Sequence, residues 1–291
     1  MSNSKQVVEV LVKHGADVNA KNNMKMTPLH YSDKNFEILE FLITNGADIN
    51  AKNELGDSIL HYSTGNIKVV EYLVSHGADT NAKNTKFKTV LHYAAEKNCV
   101  PVVEYLLSHV SNINAYDRER KTAFLYAAEK NSLETMECLL PHGADINVKD
   151  DYGKSALHYT VSNNNLETTN FLITHGADIN AVDKDGQNAL HYAAKYRNNK
   201  TPEILILNGI DKNAKDNYGQ TALHVAAKND NGKVTEVLIL NDIDINAKNN
   251  KELTAEYVAI YNHCEEVLEV FRYPEIIKKK YKGKKDSHCI I

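Results

Sequence analysis

The sequence predicts an all-α repeat solenoid, in which paired antiparallel helices are joined by β-hairpin-like loops. Three observations predict it. The Asn of a Gly-Ala-Asp-Ile-Asn-like stretch falls at 19, 50, 81, 114, 147, 180, 213 and 246, so the steps are 31, 31 and then 33 five times. Eight residues after each Asn stands a helix-start residue (Thr27, Ser58, Thr89, Thr122, Ser155, Asn188, Thr221 and Thr254), and that interval never varies. Apolar residues such as Val102, Val103, Leu106 and Leu107 then recur at i, i+3 and i+4, a stripe that one helix pair cannot bury alone. A fixed period with an unburied stripe means stacked units, whose stability is roughly a sum of unit and neighbour terms.

One copy, from Gly143 to His158, shows why each element forms. Gly143 takes the left-handed backbone that closes a helix. Ile146 to Lys149 is short and extended. Asp150 to Gly153 is a turn, with Asp bonding its own backbone and Gly free to take positive φ. Ser155 is an N-cap for the following helix. Pairs such as Ala94-Ala95, Ala127-Ala128, Ala193-Ala194 and Ala226-Ala227 keep the first helices small where neighbouring units approach. In the two 31-residue units, the missing pair of residues falls at the end of the first helix.

The motifs TPLH at 27–30, TVLHYAA at 89–95, SALHY at 155–159, NALHYAA at 188–194 and TALHVAA at 221–227 resemble the ankyrin-repeat family. That family has a period of about 33 residues and a T-P-L-H-x-A signature. Close variants of GADIN stand at 15–19, 46–50, 77–81, 143–147 and 176–180. The resemblance implies a curved solenoid whose first helices and loop tips line a concave groove for a protein partner. It assigns residues 1–26 to a partial first repeat (second helix and arm), 27–253 to seven repeats, 254–273 to a C-terminal capping repeat and 274–291 to a basic tail.

Taken in order, residues 5–14 read as a second helix without a first, and Val7, Val8, Val10, Leu11 and Val12 are too apolar for a polar end cap. The expectation is either a truncated start or an end that meets another surface. The unit at Thr89 ends in HVSNIN, with Val110 at the Gly position, where positive φ would strain a β-branched residue. The next unit has Leu125 in place of the signature His. Strain or low local stability is therefore expected between Leu107 and Thr122. Polar substitutions suit the last unit to a C-terminal cap.

The sequence presents no catalytic constellation. Of the thirteen His, six occupy the signature position (30, 61, 92, 158, 191, 224) and five precede the loop Gly or its substitute (14, 76, 109, 142, 175). Their long spacing argues against a metal site, and the family resemblance implies that the signature His bonds backbone and helix starts between neighbouring loops. No phosphate loop or nucleophile motif appears, so no enzyme, cofactor or small-molecule substrate is expected. Four separated Cys, no signal peptide and no membrane-length apolar run point to an intracellular, cytoplasmic chain, with the nucleus as a second compartment. Six Lys and one Asp between residues 278 and 291 leave 28 basic and 37 acidic residues elsewhere, a formal −9. An acidic body with a basic tail is not the footprint of a DNA-binding domain. The tail is expected to be disordered. It reads as a solvated segment, a nuclear-localisation signal or a membrane-surface anchor, and Cys289 misses the prenylation position by one residue.

The expected function is a non-catalytic protein-interaction module or scaffold. The alternatives are an adaptor segment of a larger signalling or ubiquitin-ligase chain, and a nucleic-acid or membrane protein acting through the tail. Four residues after successive helix starts stand Tyr31, Tyr62, Tyr93, Tyr126, Tyr159 and Tyr192. They read as a groove floor for a partner, apolar on the ring and hydrogen-bonding at the tip. The same column would arise if Tyr were this repeat's packing choice between helix and loop. Lys86, Lys88, Arg118, Arg120 and Lys121 make the middle tips basic, whereas Asp151 and Asp185, with Asp150 and Asp183, make the following tips acidic. Such a polarity would orient a partner more than tighten it.

Overall fold

The first helix of a repeat starts where a Ser, Thr or Asn caps it and a His three residues later closes the cap. In the computed structural model, which describes residues 2–273, that box is built at Thr27, Ser58, Thr89, Ser155, Asn188 and Thr221. The described chain is helical, and among the described residues there is no β-strand. The hairpin-like arms expected from the sequence are therefore turns without a ladder. Asn53, for example, donates its N–H to Asp57 O at 3.0 Å while Gly56 N–H donates to Asn53 O at 3.0 Å, and within a unit neighbouring tips are joined by bonds such as Thr85 N–H to Leu55 O at 2.9 Å.

Two compact units divide the chain, the first spanning Met1–Asp145 and the second starting at Ile146. In the first, α1 (Ser2–Lys13) is followed by a 3-10 turn (Pro28–Tyr31), α2 (Phe36–Thr44), α3 (Ile59–Tyr62) and α4 (Ile67–Ser75). Then come α5 (Val90–Glu96), α6 (Val100–Leu107), α7 (Ala123–Glu129) and α8 (Leu133–Leu139). The two 31-residue repeats have first helices of four residues where α5 and α7 have seven, so the shortening lies where the sequence places it. Helix α5 packs on α7 and α6 on α8. Ala94, Ala95, Ala127 and Ala128 are all buried there.

The second unit repeats the pattern with α9 (Ala156–Ser162), α10 (Leu166–Thr174), α11 (Ala189–Lys195) and α12 (Pro202–Leu207). It continues through α13 (Ala222–Lys228), α14 (Gly232–Leu240), α15 (Ala255–Tyr261) and α16 (Glu265–Arg272). First helices stack on first helices (α9, α11, α13, α15), and α12, α14 and α16 form a second layer. In the tip that precedes α9, Gly153 has φ +77°, and an added Cβ would lie 2.8 Å from Lys184 N, so both conformation and space call for Gly. The expected disorder of the tail concerns residues outside those described.

Val110 corrects a sequence expectation. It is not among the residues with positive φ, so it stores no left-handed strain. The loop is rewired instead. Elsewhere in this unit the Asn of the arm donates to the Gly carbonyl of the next repeat, as Asn50 does to Gly77 O at 2.9 Å. Here Ser111 donates to Asn81 Oδ1 through its N–H and its hydroxyl, at 2.8 and 2.9 Å. Thr80, in a slot held by Ile in several other repeats, donates to His109 O at 2.6 Å.

Candidate interaction surface

A His at the third helical position can serve as the capping partner because its ring has two edges. His92 Nδ1 accepts from the Thr89 N–H at 3.0 Å and lies 2.8 Å from the Thr89 hydroxyl. Its Nε2–H, assigned from the bonding network, donates to Lys121 O at 3.1 Å in the following loop. His30 and His61 do the same toward Asp57 O and Ala82 O, and His158, His191 and His224 toward Gln187, Gln220 and Leu253 O. Burial lowers the pKa of all six, that of His92 to about 4. The other His column is equally occupied. His14, His76, His109, His142 and His175 each place Nδ1 within 2.9 Å of the carbonyl four residues earlier, at a helix end. No cluster of His, Cys, Asp or Glu suited to a metal ion occurs among the described residues.

The tyrosine column is tied to the same loops. An Asn or Asp nine residues earlier holds each hydroxyl. Asn22, Asn53 and Asn84 donate Nδ2–H to Tyr31, Tyr62 and Tyr93 at 2.9, 2.7 and 3.0 Å. Where that residue is Asp, the bond reverses, and Tyr126, Tyr159 and Tyr192 donate to Asp117, Asp150 and Asp183 at 2.7, 2.5 and 2.8 Å. Burial and then the Asp bond push the Tyr126 and Tyr192 phenols far up. The rings also meet the preceding repeat's His edge-on, as His92 meets Tyr126 at 5.8 Å and His158 meets Tyr192 at 4.9 Å. Tyr31 is 61% exposed, Tyr62, Tyr93 and Tyr159 are half-buried, and Tyr126 and Tyr192 are 6% and 3% exposed. The hydroxyls thus serve packing between helix and loop, and the Tyr126 and Tyr192 rings offer a partner almost no surface.

The basic residues of the first unit separate into two groups. Lys88 pairs with Glu96 at 3.1 Å and lies 4.1 Å from the Tyr126 ring centre. Lys121 pairs with Glu129 at 3.0 Å and Glu119 at 3.7 Å. Both side chains are largely covered, which corrects the expectation that they charge the tips. Lys86, Arg118 and Arg120 are exposed. The sequence reading missed their neighbours. Arg118 Cζ lies 5.5 Å from the centre of the Phe87 ring, Arg120 Cζ lies 5.4 Å from Tyr116, and Lys83 Nζ lies 6.0 and 5.9 Å from both rings. Phe87 carried a signal, since it occupies the slot that holds Gly153 and Gly186 in later tips.

In the second unit Asp151 is half-buried and Asp185 exposed. Asp183 is held in its turn by the N–H groups of Asp185 and Gln187, both at 2.9 Å. Lys154 stands 5.7 to 5.8 Å from the Tyr152, Tyr159 and Tyr192 rings. Ser162, Lys195 and Lys228 end the first helices where Glu96 and Glu129 end theirs. No helix among the described residues is long and apolar enough to cross a membrane.

Comparison with known proteins agrees with this anatomy. No curated protein matches the chain. A family model described as ankyrin repeats (3 copies) matches residues 1–53, 32–117, 63–150, 124–216 and 203–280. With matches running almost end to end, and with the capping His, the loop Asn and the paired helices recurring in one register, the chain belongs to the ankyrin-repeat family.

Proposed function

We propose that this chain is a non-catalytic, intracellular scaffold that holds a protein partner along the face made by its first helices and loop tips. Ankyrin repeats are generally protein–protein interaction modules, and this chain belongs to that family. The observation that carries the reading is where the polar residues are used. His, Asn, Asp and Tyr at repeat positions bond their own loops, while the side chains exposed at the tips include cations, carboxylates and rings. A surface of that kind supports recognition of a partner. Tyr31, Tyr62, Tyr93 and Tyr159 would supply ring contact, Lys86, Arg118 and Arg120 would face acidic groups of the partner, and Asp151 and Asp185 basic ones. The test is affinity capture from the native cell with crosslinking. Crosslinks confined to first helices and tips support the reading; crosslinks only to second helices reject it.

A further inference from the structure

We propose that the two adjacent tips at 83–87 and 116–120 form a docking site for an acidic, extended segment of a protein partner. The inference rests on the reading of the chain as an interaction module and names the chemistry of what it takes. Phe87 and Tyr116 are 48% and 53% exposed, and Lys83 lies within 6.0 Å of both ring centres, so the two tips present one continuous surface. Arg118 and Arg120 each lie over one ring, and Lys86 completes the first tip. A guanidinium held against a ring keeps its N–H edge free to fork a carboxylate.

Among the described residues, none of Lys83, Lys86, Arg118 and Arg120 has a carboxylate within 4.0 Å. On the same tips Lys88 and Lys121 are paired with Glu96 and Glu129, so the fold neutralises its inner lysines and leaves the outer four charged. Of the two acids in these tips, Asp117 is buried and accepts from the Tyr126 hydroxyl and the Glu119 and Lys121 N–H groups, and Glu119 leans toward Lys121. Phe87 and Arg120 also hold φ of 60° and 59° in a slot that suits Gly. Lys25 and Glu252 fill it elsewhere, so the backbone alone does not mark the site; the exposed rings and unpaired charge do. A peptide is favoured over a nucleic acid because the cations are confined to two tips of a chain whose residues 1–277 carry a formal −9. A long polyanion would run beyond the patch onto that charge.

The experiment uses the full chain with the six tail lysines (278–280, 282, 284 and 285) changed to Gln, so that the tail cannot bind the probe. A fluorescein-labelled poly-glutamate 12-mer is titrated by anisotropy beside a 12-nucleotide single-stranded oligo-U. Poly-glutamate should bind, more weakly as salt rises, and Arg118→Glu with Arg120→Glu should weaken it at least about tenfold. Lys184→Glu on a tip of the second unit should change it little. Phe87→Gly and Arg120→Gly place Gly in a left-handed slot, so they should keep or raise the melting temperature while weakening binding, which separates loss of the site from loss of fold. No binding of poly-glutamate, or binding indifferent to the Arg reversals in folded protein, overturns the site. Tighter binding of oligo-U that fails with the same variants also overturns it in favour of RNA. The module reading is judged separately, by whether cellular crosslinks fall on first helices and tips at all.

Discussion

A histidine used as a capping residue makes this fold sensitive to acid, and the sign follows from the bonds. Protonating His92 puts a hydrogen on Nδ1, which already accepts from the Thr89 backbone, and charges a buried ring. Its folded pKa, lowered to about 4, lies below the unfolded value of 6.5. The unfolded chain therefore takes up the proton first as pH falls. The His92 contribution is fully present above pH 6.5 and is lost progressively down to pH 4, on the order of 3 kcal/mol at the end of that window. The other five signature His shift in the same direction. Urea midpoints should be flat above pH 7 and fall steadily between 6.5 and 4, and His92→Gln should flatten part of that slope. A profile unchanged down to pH 4 would show that these rings titrate normally. Tyr126→Phe tests a neighbouring bond. It removes a 2.7 Å contact to buried Asp117 yet leaves that carboxylate its bonds from Glu119 and Lys121 N–H, so a loss of about 1 kcal/mol with an intact fold is expected from denaturant melts.

Loops show where a sequence reading of elements succeeds and where it stops. Helix starts, the left-handed Gly143 and the shortened first helices were legible because each is decided within a few residues. The rewiring around Val110 was not, because it depends on Thr80 and Asn81, some 30 residues away, offering a different set of bonds. The inner lysines were misread for the same reason, since Glu96 and Glu129 reach back eight residues to cover Lys88 and Lys121. Local rules name the residue types of a tip; whether a charge faces solvent is settled by the next helix. The two kinds of loop give opposite expectations for one substitution. Phe87→Gly removes a bulky residue from φ 60° and should stabilise by up to about 1 kcal/mol. Val110→Gly only adds chain entropy at an unstrained position and should destabilise by about 0.5–1 kcal/mol. Thermal melts of the two variants with the same sign would contradict this account of the loops.

Stacked repeats owe their stability to neighbours, so protection across the whole chain should follow the quality of each repeat and not its distance from a single core. In the first unit, the 3-10 turn Pro28–Tyr31 and α3 have four residues each, and Ser32 and Ser63 stand where later repeats place the first Ala of their pair. Fewer backbone bonds and less buried apolar surface leave these segments cheaper to open. Helices α5 and α7, by contrast, have full length, buried Ala pairs, and a His92 bond that crosses from one repeat to the next. In the second unit α11 and α13 have the same advantages, whereas α15 exposes Tyr257, Ile260 and Tyr261. Hydrogen exchange should therefore be slowest in α5, α7, α11 and α13 and at least about tenfold faster in Pro28–Tyr31 and α15, with fast exchange confined to those repeats under native conditions. Destabilising the first unit with His92→Gln should speed exchange in α5 and α7 far more than in α13, because the lost bond is a term between neighbours. Equal protection throughout, or an equal response in every helix, would mean that the chain opens as one cooperative body and that its repeats do not contribute separately.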